Sequence, residues 1–224
     1  MKKLLSILVS VLFGVCLLVG AASALTLRLD DPSTGGIDAE VAGAGGIVTF
    51  GPSALGSTKW TVNNVTGLSQ PILGSSSVAS MDLNSINVTA SGPATLILSL
   101  SDTFTLPFPP AIFPSLFDKM EIGGTTVGTV TYDKWIGTEE FQQTTKIGTL
   151  GTFPAGAFSG SLTGSFTNSG PFSMTEIITI THPGSGQTSF NATNDATIPE
   201  PTTMLLLGSG LLGMGVYARK RFRK

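Results

Sequence analysis

The chain has almost no histidine or cysteine and few charges. Its single histidine is His182 and its single cysteine is Cys16. A Ser-His-Asp triad would have to use His182, and no Gly-x-Ser-x-Gly turn is present to offer a nucleophile. One histidine with no partner cysteine does not supply a usual zinc ligand set. Cys16 lies inside an apolar N-terminal run. Phe13 and Val15 before it do not suit a lipidated cysteine, and apolar residues continue past it. If that run is removed, the remaining chain has no disulfide, no thiol nucleophile and no thiolate metal site, so packing must hold it together. Between the two ends there is neither a long apolar run nor a sustained helical period, and glycine is too frequent for long helices.

Basic residues are scarce where a folded domain would lie. From Leu25 to Ile198 there are thirteen acidic and five basic residues, a net charge of −8, which the whole-chain value of −2 conceals. The five are Arg28, Lys59, Lys119, Lys134 and Lys146, and they form no cluster. Nucleic-acid binding needs grouped cations to neutralise phosphates, so no nucleic-acid partner is expected.

The two ends are informative. Lys2 and Lys3, an apolar stretch from Leu4 to Gly20, and the small-x-small site Ala22-Ser23-Ala24 form the three parts of a secretory signal peptide over residues 1–24. Cleavage is expected after Ala24. At the other end Pro199, Glu200 and Pro201 precede an apolar run from Met204 to Ala218. Arg219, Lys220, Arg221, Arg223 and Lys224 follow as a basic membrane stop. The run of 15 residues would span roughly 22 Å as a helix, short of the ~30 Å hydrocarbon core, and four glycines weaken it. The basic cluster is expected to stay cytoplasmic, leaving everything between the ends outside. A weak span with a basic stop and a proline pair in front suits a transmembrane helix that pauses in the bilayer and is then cut.

This tripartite pattern over residues 198–224 resembles the PEP-CTERM sorting signal of Gram-negative bacteria. The resemblance implies recognition by exosortase, a membrane-embedded processing enzyme, and transient membrane anchoring through the C-terminal helix. It also implies secretion across the inner membrane to the cell surface or extracellular matrix of a bacterium that makes extracellular polysaccharide and biofilm. The stretches Lys59-Trp60-Thr61-Val62-Asn63, Thr66-Gly67-Leu68-Ser69, Met81-Asp82-Leu83-Asn84-Ser85 and Gly170 to His182 resemble a recurrent β-rich group of such proteins. That second resemblance names no activity.

The middle of the chain, 25–197, reads as one all-β domain. Segments rich in Val, Ile, Thr and aromatics recur between Gly, Pro, Asn and Ser clusters. Strands are expected at 25–29, 46–50, 59–65, 81–90, 94–101, 119–122, 127–134, 145–150, 157–166, 173–181 and 188–192. Leu96, Leu98 and Leu100 alternate with Thr95, Ile97 and Ser99 and should face a core. The pattern predicts an antiparallel β-sandwich, jelly-roll-like or Ig-like; no fixed repeat supports a solenoid. Pro107 to Pro114 reads as a loop capping one end, with a short helical turn around 114–118.

Candidate chemistry is sparse. Glu139-Glu140 and Asp30-Asp31 are adjacent pairs, which a strand would aim at opposite faces, so neither makes a glycosidase pair. Asp30, Asp31, Asp38 and Glu40 cluster near glycines, as calcium favours, but in no EF-hand order. Three N-glycosylation sequons, beginning at Asn64, Asn87 and Asn191, are accidental in a bacterial protein. Trp60, Tyr132 and Trp135 are candidates for stacking on sugars, with Tyr132 and Trp135 the more exposed. The resemblance to the sorting signal implies a surface or matrix protein, and the sparse chemistry adds that it is non-catalytic and without a cofactor. The alternative is a carbohydrate-binding β-sandwich module carrying structural calcium.

Overall fold

The computed structural model describes residues 25–198 apart from 57, 108, 109, 112, 113 and 168, together with 209 and 210. The signal-peptide region and the Pro-Glu-Pro, apolar and basic parts of the tail lie outside the described residues, apart from Ser209 and Gly210. No helix among the described residues is long and apolar enough to cross a membrane.

Among the described residues thirteen strands, numbered in chain order, form two antiparallel sheets. One sheet contains β1 (Thr26–Asp30), β2 (Ala39–Ala42), β7 (Ala94–Phe104), β9 (Thr129–Gly137), β10 (Thr145–Phe153) and β12 (Phe172–His182). Its order is β10-β9-β12-β7-β1-β2. The other contains β3 (Ile47–Phe50), β4 (Ser53–Ala54), β5 (Trp60–Leu68), β6 (Val78–Ala90), β8 (Ser115–Thr126), β11 (Gly156–Thr167) and β13 (Gly186–Thr197). Its order is β11-β8-β13-β6-β5-β3, with β4 paired to β5. From β6 to β13 the chain fills β6-β13-β8-β11 in one sheet and β7-β12-β9-β10 in the other. This is the eight-strand jelly-roll order, which decides between the two expected sandwiches. The remaining strands extend each sheet at the β6 and β7 side.

Period-two alternation builds the inner faces. Leu96, Leu98 and Leu100 are fully buried, as the pattern predicts. Leu98 lies between Leu29 of β1 and Ile178 of β12 in register, and Leu100 opposite Leu27. In β6 the buried set changes phase: Met81 and Leu83 point inward, then Ile86 and Val88 do. A bulge between them absorbs the extra residue. Ser85 takes a positive φ of 56°, and its N–H donates to the Asn191 side chain at 2.7 Å.

The expected helical turn at 114–118 is instead the start of β8, which pairs with β11 along its whole length, from Ser115↔Thr167 to Thr126↔Gly156. Gly123 and Gly124 masked this length in the sequence. A Cβ at Gly124 would sit 2.2 Å from the Ser189 carbonyl oxygen, so the glycine permits the close approach of β13. Leu106 of the proline-rich loop packs against the core, while residues 108, 109, 112 and 113 lie outside the description.

Candidate functional site

Four strands carry polar residues in a row of inward-facing apolar ones, one each on three of them and two on the fourth. In β8 the row is Leu116, Asp118, Met120, Ile122. In β12 it is Met174, Glu176, Ile178, Ile180, and in β13 it is Ala192, Asn194, Ala196. β9 carries two polar tips, in Val130, Tyr132, Lys134 and Ile136. Because side chains alternate along a strand, these residues have no choice but to face the other sheet. Asp118, Tyr132, Lys134, Glu176 and Asn194 are all buried to within 1% of complete.

Within this cluster Lys134 Nζ lies 3.8 Å from Asp118 Oδ2 across the inter-sheet space. Lys134 and Glu176 are direct partners in the β9–β12 register. Asp118 and Asn194 lie on neighbouring strands, Asp118 opposite Ala196 and Asn194 opposite Met120. Asn194 Nδ2 donates to the Tyr132 hydroxyl at 3.4 Å. Lys134 Nζ, both Asp118 oxygens, both Glu176 oxygens and Asn194 Oδ1 make no well-formed hydrogen bond among the described residues.

The electrostatics follow from burial. Loss of water pushes the Glu176 carboxyl up to about 8, against the opposing pull of Lys134. Burial also raises Asp118, partly offset by Lys134, and lowers Lys134, partly offset by Asp118. Tyr132 is held well above its ordinary value, first by burial and then by the Glu176 charge. Each group is thus pushed toward its neutral form.

Sequence reasoning missed this cluster. Its signal was a polar residue, or in β9 two, on the apolar parity of each strand. One of the sugar-stacking candidates is corrected at the same time. Tyr132, expected to be exposed, is fully buried, and so is its neighbour Lys134. Trp60 is also in the core, where its Nε1 donates to the Thr95 carbonyl at 3.0 Å. Trp135, on the opposite parity, is half-buried beneath Lys146, whose Nζ is 5.4 Å from the ring centroid.

The other candidates are placed as follows. His182 ends β12 and is buried, with Nε2 2.7 Å from Thr188 Oγ1 and its ring 4.9 Å from that of Trp60. Burial lowers its pKa, so it sits as a neutral core ring. Glu139 and Glu140 lie in the turn after β9, organised by Gln142, whose Oε1 accepts from the Thr138 N–H at 2.7 Å. In the acidic segment Asp31 accepts from the Ser33 N–H and hydroxyl at 3.0 and 2.7 Å, and Asp38 accepts from the Asp31 N–H at 2.6 Å. Glu40 pairs with Arg28 at 2.7 Å. These carboxylates organise their own loop, and among the described residues no group of three or more His, Cys, Asp or Glu is arranged to hold a metal.

The last strand leads directly into the tail. β13 ends at Thr197, and Ile198, 4% exposed, donates its N–H to the Ser77 carbonyl at 3.0 Å. Pro199 follows immediately in the sequence, so the Pro-Glu-Pro triplet begins two residues after the end of β13.

No curated protein matches the chain in sequence. Among solved structures it is similar to the K1 cleaved adhesin domain of Lys-gingipain from Porphyromonas gingivalis W83, at 9% identity over 78% of this chain and 99% of that one, TM-score 0.34. It is also similar to infectious bursal disease virus, Gx strain, at 13% identity over 80% of this chain and 52% of that one, TM-score 0.35. A third likeness is to carbohydrate-binding module CBM36 in complex with calcium and xylotriose, at 9% identity over 43% and 76%, TM-score 0.26. The family model of the PEP-CTERM protein-sorting motif matches residues 197–221, so the chain carries that sorting motif directly behind its β-sandwich.

Proposed function

We propose that this chain is a non-catalytic protein of the cell surface or extracellular matrix, cut by exosortase near Pro199 and retained in extracellular polysaccharide. The sorting motif implies an exported, exosortase-sorted protein of a Gram-negative bacterium. The observation that carries the reading is the abutment of that motif on the end of β13. Supporting it, the one histidine is a core residue, Asp31 accepts from Ser33 within its own loop, and Glu139 and Glu140 lie side by side in the turn after β9. The net charge of −8 between the ends also disfavours anionic partners. The alternative, a carbohydrate-binding module, keeps only Trp135 of its three stacking aromatics outside the full core.

The test is the intact mass and location of the protein in its native host, with and without exosortase. The expected product begins at Leu25, ends near Pro199 and reaches the matrix only when the enzyme is present. A chain that keeps Arg219 to Lys224 in the membrane in both strains would overturn the reading. A polysaccharide pull-down that depends on Trp135 would favour the carbohydrate-binding alternative.

A further inference from the structure

Lys134 and Asp118 are a buried ion pair in an awkward state. At 3.8 Å they are too far apart for a hydrogen bond, and neither has another partner of good geometry among the described residues. Taking two charges out of water is compensated only when geometry is tight and the remaining donors and acceptors are satisfied. Neither condition holds here. The two side chains come from different sheets, β9 and β8, and face one another across the dry interior. An ammonium and a carboxylate contain the same atoms as an amide plus one water. Condensation would therefore remove both charges without any outside reagent.

We propose that Lys134 and Asp118 join through an intramolecular isopeptide bond that ties the two sheets together, with Glu176 handling the proton. The neutral Lys134 amine attacks Cγ of the protonated Asp118 carboxyl, and a new N–C bond forms. Glu176, protonated and opposite Lys134 in the β9–β12 ladder, donates its proton to the departing Asp118 hydroxyl while its other oxygen takes the proton shed by nitrogen. The C–O bond breaks and water leaves. Atoms and charge balance, and Glu176 ends as it began. Burial favours the neutral amine and neutral acids that the step needs. The fold holds the reacting groups together, which replaces a bimolecular encounter with an intramolecular one. The dry interior also disfavours the reverse hydrolysis. A chain with no cysteine beyond Cys16 cannot staple its sheets by disulfide, and this bond would do so by other means.

The test is a peptide map of the full exported chain, denatured and cut after lysine and arginine. Lys119 and Lys134 bound the expected fragments 60–119 and 120–134. A bond at Lys134 blocks cleavage there. The expected product is one branched species joining 60–119 to 120–146, lighter than the sum of its parts by one additional water. Free fragments 60–119 and 120–134 in full yield would overturn the proposal. A branch from Lys134 to the fragment beginning at Ile147, with loss of ammonia, would place the bond on Asn194 and overturn the assignment to Asp118. The role of Glu176 is read separately. Glu176→Gln keeps the shape but cannot relay a proton, and linking should slow by roughly a hundredfold. Near-UV circular dichroism checks that the core is retained, and Glu176→Asp should restore linking in part. Linking at the wild-type rate in Glu176→Gln would overturn the relay.

Discussion

Around the β1–β7 pairing the space between the sheets is filled by Leu27, Leu29, Leu98, Leu100, Val62 and Val65. Between β8, β9, β12 and β13 the same dry layer holds Asp118, Tyr132, Lys134, Glu176 and Asn194. Fractional burial does not distinguish the two regions, but their energetics do. In the first, each buried methylene contributes about 0.8 kcal/mol of transfer free energy and needs no specific partner. In the second, every polar group loses water and must recover that loss from a neighbour. The leucine region accounts for stability. The polar region costs stability unless its charges are neutralised, by proton transfer or by the bond proposed above.

The sharpest way to break this comparison is to remove one member of the polar pair. Asp118→Ala leaves Lys134 buried with no carboxylate at 3.8 Å, and it also removes any link. Denaturant unfolding should show a loss of about 3–5 kcal/mol. A loss under about 1 kcal/mol would mean that the pair is not held in the interior. In the leucine region Leu98→Ala, a fully buried residue between Leu29 and Ile178, should cost about 2–5 kcal/mol through lost transfer energy and the cavity left behind. That cost should be nearly independent of pH, whereas the Asp118→Ala cost should change with the charge state of Lys134.

How much of this was legible in the sequence follows from the same contrast. Strict alternation at Leu96, Leu98 and Leu100 made β7 readable, and the tail announced itself through Pro199 to Pro201 and its basic end. β8 was read too short because Gly123 and Gly124 look like a turn when they are in fact a strand's closest approach to its neighbour. The two-residue β4 and four-residue β2 are too short to show a period. Tyr132 is expected at the surface because Lys134 lies beside it and lysine is usually exposed. Parity said otherwise, since Val130, Tyr132, Lys134 and Ile136 fall on one face. The bulge at Ser85 shows the limit of parity itself: one left-handed residue reverses which side chains point inward, and no pattern in β6 alone announces it.

A pH titration of stability sharpens the contrast next. Glu176 keeps its proton in the folded protein to about pH 8, while its ordinary value is 4.5. Groups whose charges act on it are Lys134 on β9, Asp118 on β8 and Asp82 on β6, with the Tyr132 hydroxyl beside it. Between those two pH values the folded chain binds more protons than the unfolded one. Its contribution is therefore full below about 4.5, declines as pH rises and levels above about 8. The slope from this one group is at most about 1.4 kcal/mol per pH unit. Subtracting the Glu176→Gln curve from the wild-type curve, both taken on chains shown by peptide map to share one linkage state, should isolate it. A difference curve flat across that window would show that Glu176 is solvated.

The smallest effect belongs to charges outside both regions, and it tests whether burial is the deciding variable. Arg28 and Glu40 face each other on paired strands at 2.7 Å, but their side chains are 33% and 49% exposed. Water already solvates both, so the pair gains little from forming and loses little from breaking. Glu40→Ala should cost less than about 1 kcal/mol, and moderate salt should erase most of it. Arg28→Ala should cost somewhat more, because the guanidinium also lies 3.6 Å above the Phe141 ring, a contact that salt does not screen in the same way. If Glu40→Ala cost as much as Asp118→Ala, charge pairing alone would set the energetics, and the distinction between a wet pair and a dry one would fail.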